Sequence, residues 1–341
     1  MKSFIQVIFE LKNKSANKNR FGIVLDILIR VLHLITRKYT NRLVTYNFKG
    51  FKVMVPFRHH WSYDSINNPE WSMSLGRVAS LVSSKYPNSV FFDIGANIGD
   101  TCAIIRGNGV KNKIYAIEGV PCFYETLSLN ADILGNIYPI NKFLSYDTSE
   151  KSVQLKVLDS GNGRVYLNPD LYGDDASESF TSEIETIKLS KLISNLSLSQ
   201  PIKFLKTDIE SMDMPVLKAS LDVIKSHLPV IFFECHIANA HESEHNIAFL
   251  DFINEFRDLG YVKMFYWDCS NEYRYCFDLS DSEIMRDFDA IYRNRMGLKY
   301  ADICLVHAND IEMAENLRAG ERKYFVSQRQ TSWGTKVASE Y

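Results

Sequence analysis

The chain of 341 residues lacks several features that would place it in a class at once. Its six cysteines (Cys102, Cys122, Cys235, Cys269, Cys276 and Cys304) form no CxxC pair. Buried thiols in a reducing compartment are therefore expected, and a disulfide framework is not. The first 20 residues contain no small-residue cleavage site, so no signal peptide is expected. Residues 22–36 are strongly apolar but are interrupted by Asp26, Arg30 and His33, and fall short of the ~20 residues a membrane span needs. No internal repeat and no GxGxxG motif is found. The net charge is only −2, and 46% hydrophobic with 23% charged residues is an ordinary globular composition.

That small net charge hides an asymmetry. Residues 1–60 hold 12 Lys/Arg against Glu10 and Asp26, about +10, while the rest carries 27 against 39, about −12. Asp26, Arg30 and His33 recur along one face of an amphipathic helix. A basic segment of this kind packs on the body or on a second subunit, or docks on an anionic membrane surface. The expected location is cytoplasmic, with the inner-membrane periphery as the alternative. No nucleic-acid partner is expected.

What the chain does have is an alternation of strands and helices. Residues 44–56 read as a hairpin turning at Lys49-Gly50, followed by an aromatic-rich loop over 57–71 and a helix with Leu75, Val78 and Val82 on its apolar face. Strands are expected at 90–94, 113–118, 140–144, 202–208, 229–234, 261–267 and 302–307. Helices are expected from 101, from Pro121 to about 131, near 212–221, and over 246–259 up to Gly260. Such alternation implies right-handed crossovers and an open, mostly parallel α/β sheet with helices on both faces. Residues 145–200 exceed an ordinary crossover and read as an inserted hairpin with an acidic, serine-rich loop over 170–182. The expected organisation is a basic amphipathic helical extension (1–43), a hairpin, aromatic loop and lead-in helix (44–87), a main domain (88–310) and a C-terminal tail (311–341) that frays from about residue 325.

Ligands of such sheets bind at the carboxyl ends of the strands, where Asp93, Glu118, Asp208 and Glu234 all fall. Val90 to Asp100 reads as a buried strand breaking into a turn in which Gly95 and Gly99 allow close backbone approach to a ligand. Asp93 and Asp100 make this turn unsuited to phosphates and suited to a cation or an amine. Glu118 follows Gly95 by 23 residues, the place of a carboxylate that accepts from ribose hydroxyls. Together these features fit S-adenosylmethionine, whose sulfonium is cationic and whose ribose needs an acceptor.

With these residues the sequence resembles the FkbM family of S-adenosylmethionine-dependent methyltransferases. The likeness rests on Phe-Phe-Asp-Ile-Gly-Ala-Asn-Ile-Gly-Asp (91–100), Tyr-Ala-Ile-Glu (115–118), Phe123 to Asn130 and Phe-Leu-Lys-Thr-Asp-Ile-Glu (204–210), and covers roughly 88–265. It implies a class I methyltransferase (Rossmann-like) fold and methyl transfer to oxygen, often on sugars or natural products. It assigns Asp93, Gly95, Asn97 and Gly99 to the methionine side of the cofactor and Glu118 to its ribose. Adenine would lie near Phe143 to Ser145. The chain departs from the family in having Gly119 where proline is common and Ser211 where glycine is common.

Asp208 and Glu210 read either as helix N-terminal acids or as groups beside the transferred methyl, holding the acceptor hydroxyl. Asp208 counts with the cofactor residues as well. His236, just past the fifth strand, is a candidate general base or a structural histidine. Alternatively Asp208, Glu210 and Glu234 hold Mg²⁺ that lowers the hydroxyl pKa. His241 to His245 matches HExxH, but that motif needs a continuous helix and a third ligand, so a polar loop or first turn is expected. His59-His60-Trp61 reads as a packed loop or as a lid over the cofactor. Trp267, Tyr273, Tyr275 and Tyr292 read as core or as a sugar-stacking wall. The expected function is O-methylation of a carbohydrate, glycoconjugate or natural-product hydroxyl. A non-catalytic membrane-associated binding module and an NAD-dependent oxidoreductase are the alternatives.

Overall fold

A computed structural model describes residues 4–15, 42–57, 59–68, 70–146, 152–158, 165–166, 179–209, 212–236, 247–295 and 300–332. The segment 22–36, Glu210, Ser211 and the HExxH stretch lie outside the described residues.

The chain begins with helix α1 (Phe4–Ser15), whose Ile8 and Phe9 pack on Val44 and Phe57. The hairpin of β1 (Leu43–Phe48) and β2 (Phe51–Pro56) turns at Lys49-Gly50 as expected. The aromatic segment after it contains a short helix, α2 (Trp61–Asn67), where a loop was expected. Burying Trp61 against Phe48 and Tyr46 supplies the packing that propensity alone does not reveal. Helix α3 (Met73–Lys85) leads into the main sheet.

That sheet is built from β3 (Val90–Ile94), β4 (Lys113–Ile117), β5 (Ile137–Ile140), β10 (Ile202–Thr207), β11 (Val230–His236), β12 (Tyr261–Asp268), β13 (Tyr273–Asp278) and β14 (Tyr300–His307). Among the described residues its order is β13-β12-β14-β11-β10-β3-β4-β5. The strands from β5 to β11 pair in parallel, and β14 enters antiparallel between β11 and β12. The alternation of strand side chains divides the core. Phe91, Phe204, Phe232 and Phe265 meet α3, α4 (Asp100–Gly107), α5 (Pro121–Leu134) and α11 (Ile311–Ser332) on one face. Phe92, Leu205, Phe233 and Met264 meet α6 (Leu189–Leu196), α7 (Asp213–Lys218), α8 (Leu221–His227), α9 (Phe249–Asp258) and α10 (Ser282–Arg295) on the other.

Several boundaries differ from expectation. The third strand divides. Ile137–Ile140 forms the sheet edge, where Pro139 costs no ladder bond on its outer side. The next two residues lead into β6 (Phe143–Leu144), which pairs instead with β9 (Ser179–Ile187) of the insert. There β7 (Ser152–Leu158) and β8 (Val165–Tyr166) make the expected hairpin, and β9 takes up residues expected as loop. The helix expected near 212–221 is two, α7 and α8, separated at Ala219-Ser220. The segment expected as a C-terminal tail is α11. It buries Met313, Ala314 and Leu317, and its Glu321 accepts from Arg77 (2.6 and 2.9 Å) and from Trp267 Nε1 (2.8 Å). Charge at that helix's surface masked its apolar stripe. No described helix is long and apolar enough to cross a membrane.

Candidate active site

The site begins where β3 ends. Gly95 and Gly99 adopt φ of +72° and +87°, which a side chain disfavours. A Cβ on Gly95 would stand 2.0 Å from the Asp208 backbone oxygen, so glycine there is required by the approach of β10 as well as by the turn. The turn is closed by Gly95 and Ala96 N–H groups donating to Ile117 O (2.9 and 3.0 Å). Asn97, at φ +47°, is a residue type that tolerates the left-handed region.

Asp93 lies beneath this turn at 1% exposure. Its carboxylate accepts from the Thr101 hydroxyl and from Cys102 Sγ (3.3 Å), and pairs with Lys206 Nζ at 3.0 Å. Lys206, 3% exposed, also donates to Gly95 O at 3.0 Å and stands 3.7 Å from Asp208 Oδ2. Burial pulls the Lys206 ammonium down, but Asp93 and Asp208 together hold it above its ordinary range. The negative charge read from Asp93 in the sequence is thus met by a lysine from β10. Asp93 anchors the turn from beneath.

Glu118 follows β4 and is buried. Its Oε2 accepts from Asn97 N–H (2.8 Å) and its Oε1 from Val120 N–H (2.7 Å). Burial raises its pKa to about 7 against those two backbone bonds, which favour the ionised form. Each oxygen keeps a further acceptor position. Beside it, Phe143 rests within 3.1 Å of where a Cβ on Gly119 would be. That contact gives a steric reason for glycine at the position where proline is common. Ser145 is buried, and its N–H donates to Ile187 O of the insert. Asp100 opens α4; burial lifts its pKa to about 7, and its Oδ1 has no hydrogen-bond partner among the described residues.

The β10–β11–β14 side is differently made. Asp208 is the open carboxylate, with 46% of its side chain exposed. Glu234 on β11 and Asp302 on β14 are register partners, and burial, with Asp208 nearby, pushes Asp302 up to about 8. The sequence reading did not single out Asp302, whose place depends on the antiparallel insertion of β14. His236 ends β11 opposite Tyr300, so its backbone reaches the same edge. Among the described residues no group of three or more His, Cys, Asp or Glu side chains is arranged to hold a metal ion. Trp267 is core at 0% exposure, Tyr273 packs against that core, and Tyr275 is exposed. His59 and Trp61 are buried while His60 is exposed, so the three residues do not act as one surface loop.

A parallel β5-β4-β3-β10-β11 series continued by antiparallel β14, with an acidic β4 end and a glycine turn after β3, defines a class I S-adenosylmethionine-dependent methyltransferase fold. Residues 93–263 match the Methyltransferase FkbM domain, half of the chain, and the chain belongs to that family. Among solved structures it is similar to methyltransferase FkbM from Methylobacillus flagellatus, at 15% identity over 51% of this chain and 50% of that one (TM-score 0.29). The chain therefore spans about half the length of that relative. It is also similar to Aeropyrum pernix fibrillarin with bound S-adenosyl-L-methionine, at 12% identity over 79% and 83% of the two chains (TM-score 0.34). The plantazolicin methyltransferase BamL with S-adenosylhomocysteine is similar at 8% identity over 89% and 97% (TM-score 0.34). None of these structural likenesses carries an argument about the acceptor. No curated protein matches the chain significantly.

Proposed function

We propose that this methyltransferase acts on a hydroxyl oxygen of a carbohydrate, a glycoconjugate or a related natural product. The observation that carries the cofactor half of this reading is the Glu118 carboxylate, oriented through both oxygens by backbone N–H groups and still able to accept two more hydrogen bonds. Paired ribose hydroxyls fit that acceptor set, and Asp100 Oδ1, unpartnered among the described residues, offers a further acceptor near the turn for an amine. S-adenosylmethionine, when bound, supplies an electrophilic methyl on sulfur. The chain's own residues then have three tasks. The Gly95–Gly99 turn and Glu118 hold the cofactor in one pose. Asp208, open to solvent beside them, accepts the acceptor's O–H and takes its proton, while Lys206 steadies it at 3.7 Å. His236, at the end of β11, is the alternative base. Orientation of this kind is worth up to ~7–11 kcal/mol of the barrier when the reacting atoms are aligned.

The test is incubation with methyl-tritiated S-adenosylmethionine and fractionated cell glycans, followed by acid hydrolysis. Label recovered as an O-methyl sugar or an O-methylated natural product is the expected result. Label confined to amines would sink the hydroxyl reading. Absence of transfer to any fraction, with the cofactor bound, would favour the non-catalytic module.

A further inference from the structure

We infer that His59, which lies outside the family domain, is a positioning residue of the cofactor site. The chain leaves β2 through a turn closed by His59 N–H donating to Pro56 O at 2.9 Å. The turn directs His59 inward, where it is 6% exposed. Trp61 backbone N–H donates to its Nδ1 at 3.3 Å. That contact makes Nδ1 the acceptor nitrogen and leaves Nε2 to carry the ring hydrogen. Nε2 stands 3.3 Å from Asn97 Oδ1 and donates to it. Asn97 in turn, held at φ +47°, aims its backbone N–H at Glu118 Oε2 (2.8 Å). One chain of bonds thus runs from the start of α2 through His59 and Asn97 to the carboxylate that meets the ribose.

A second tie fixes the neighbouring residue. Asn130 of α5 accepts from Met54 N–H at 2.7 Å and donates to Met54 O (2.9 Å) and Ile98 O (2.7 Å). The β1–β2 hairpin and the turn that follows it are therefore fastened to the cofactor turn at two successive residues, Ile98 through Asn130 and Asn97 through His59. Edge-on contact of His59 with Phe123 of α5, at 6.4 Å between rings, completes the docking. The hairpin and α2 stand outside residues 93–263, yet they set the geometry within them.

The inference rests on the cofactor side alone, so failure of the hydroxyl-acceptor reading would leave its test intact. Calorimetry of the full chain with S-adenosylhomocysteine is the measurement. His59→Ala is expected to weaken binding about tenfold. His59→Gln, whose amide nitrogen reaches where Nε2 stands, restores affinity to within about threefold of the unmodified protein. Asn97→Gly keeps the left-handed turn and removes the side chain, and in that background His59→Ala costs nothing further. If His59→Ala does not fold, His59→Phe keeps the packing, drops the donor and carries the same expectation. Unchanged affinity in the alanine or phenylalanine variant overturns the inference. So do equal losses with and without the Asn97 side chain, which would mark His59 as a packing residue only.

Discussion

At the β3–β4 end of the sheet two of the three buried carboxylates are engaged, Asp93 by Lys206, Thr101 and Cys102, and Glu118 by two backbone N–H groups, while Asp100 Oδ1 has no hydrogen-bond partner among the described residues. At the β10–β11–β14 end, Asp208 stands open, and Glu234 faces Asp302 across an antiparallel pair. Burial, with the Asp208 carboxylate nearby, holds a proton on Asp302 up to about pH 8. The first end is preorganised before any ligand arrives. The second keeps one carboxylate open and another protonated by burial.

The two ends meet through the Lys206 bridge and where Gly95 packs on Asp208, and the largest effect is expected at that packing contact. Gly95→Ala would place a Cβ 2.0 Å from the Asp208 backbone oxygen at φ +72°. Strain of about 1–2 kcal/mol from the left-handed backbone adds to about 1–3 kcal/mol of overpacking. We expect no measurable S-adenosylhomocysteine binding, no transfer, and a melting temperature several degrees lower. Retained binding would show that the ends are less tightly joined than the geometry requires.

Next comes a pair of variants that should separate the ends. Glu118→Ala leaves the Asn97 and Val120 N–H groups without their acceptor, and S-adenosylhomocysteine affinity is expected to fall more than about 100-fold. Asp208→Asn keeps the shape of the β10 end. Affinity should stay within about twofold, while kcat falls about 10²–10⁴-fold, the range for loss of a general base. A parallel fall in affinity for Asp208→Asn would move that residue to the cofactor side. An unchanged kcat would pass the base to another group, His236 first.

The same comparison explains what was legible in the sequence. Gly95, Asn97, Gly99 and Glu118 sit within one βαβ unit, where short-range spacing determines which groups meet. Their placement at the strand ends could be read from glycine spacing and strand length. Asp93 was legible as an acid but not as a buried partner of Lys206, because that pairing depends on β10 lying next to β3 across more than a hundred residues. Asp302 was invisible for the same reason: antiparallel entry of β14 between β11 and β12 decides its neighbours. Helix α11 was missed because its buried face includes Glu321, a charge satisfied only by Arg77 and Trp267 from distant segments. Strand β13 adds an edge to the sheet, burying Cys276 alone among its six residues.

The smallest effect, and the one that discriminates best, is the dependence of binding on pH. Burial raises the Glu118 pKa from an ordinary 4.5 to about 7. A raised folded-state value means that the protonated carboxyl stabilises the fold below about pH 4.5, and that this contribution is lost as pH rises through about 7. Asp100 acts in the same direction up to about 7 and Asp302 up to about 8, so the ligand-free protein should lose stability steadily between about pH 4 and pH 8. Ligand binding has the opposite sign. Hydroxyl donors on Glu118 favour its ionised form, so binding below about pH 7 expels a proton, and affinity falls by up to tenfold per unit of acidification. Calorimetry at pH 6 in buffers of different ionisation enthalpy should show about one proton released with S-adenosylhomocysteine, and none at pH 8.5. Asp208→Asn should leave that release intact, since the open carboxylate belongs to the other end. Glu118→Gln should abolish it. Release that survives Glu118→Gln would pass the titration to Asp100, whose carboxyl shares the same burial and lies on the same side of the sheet edge.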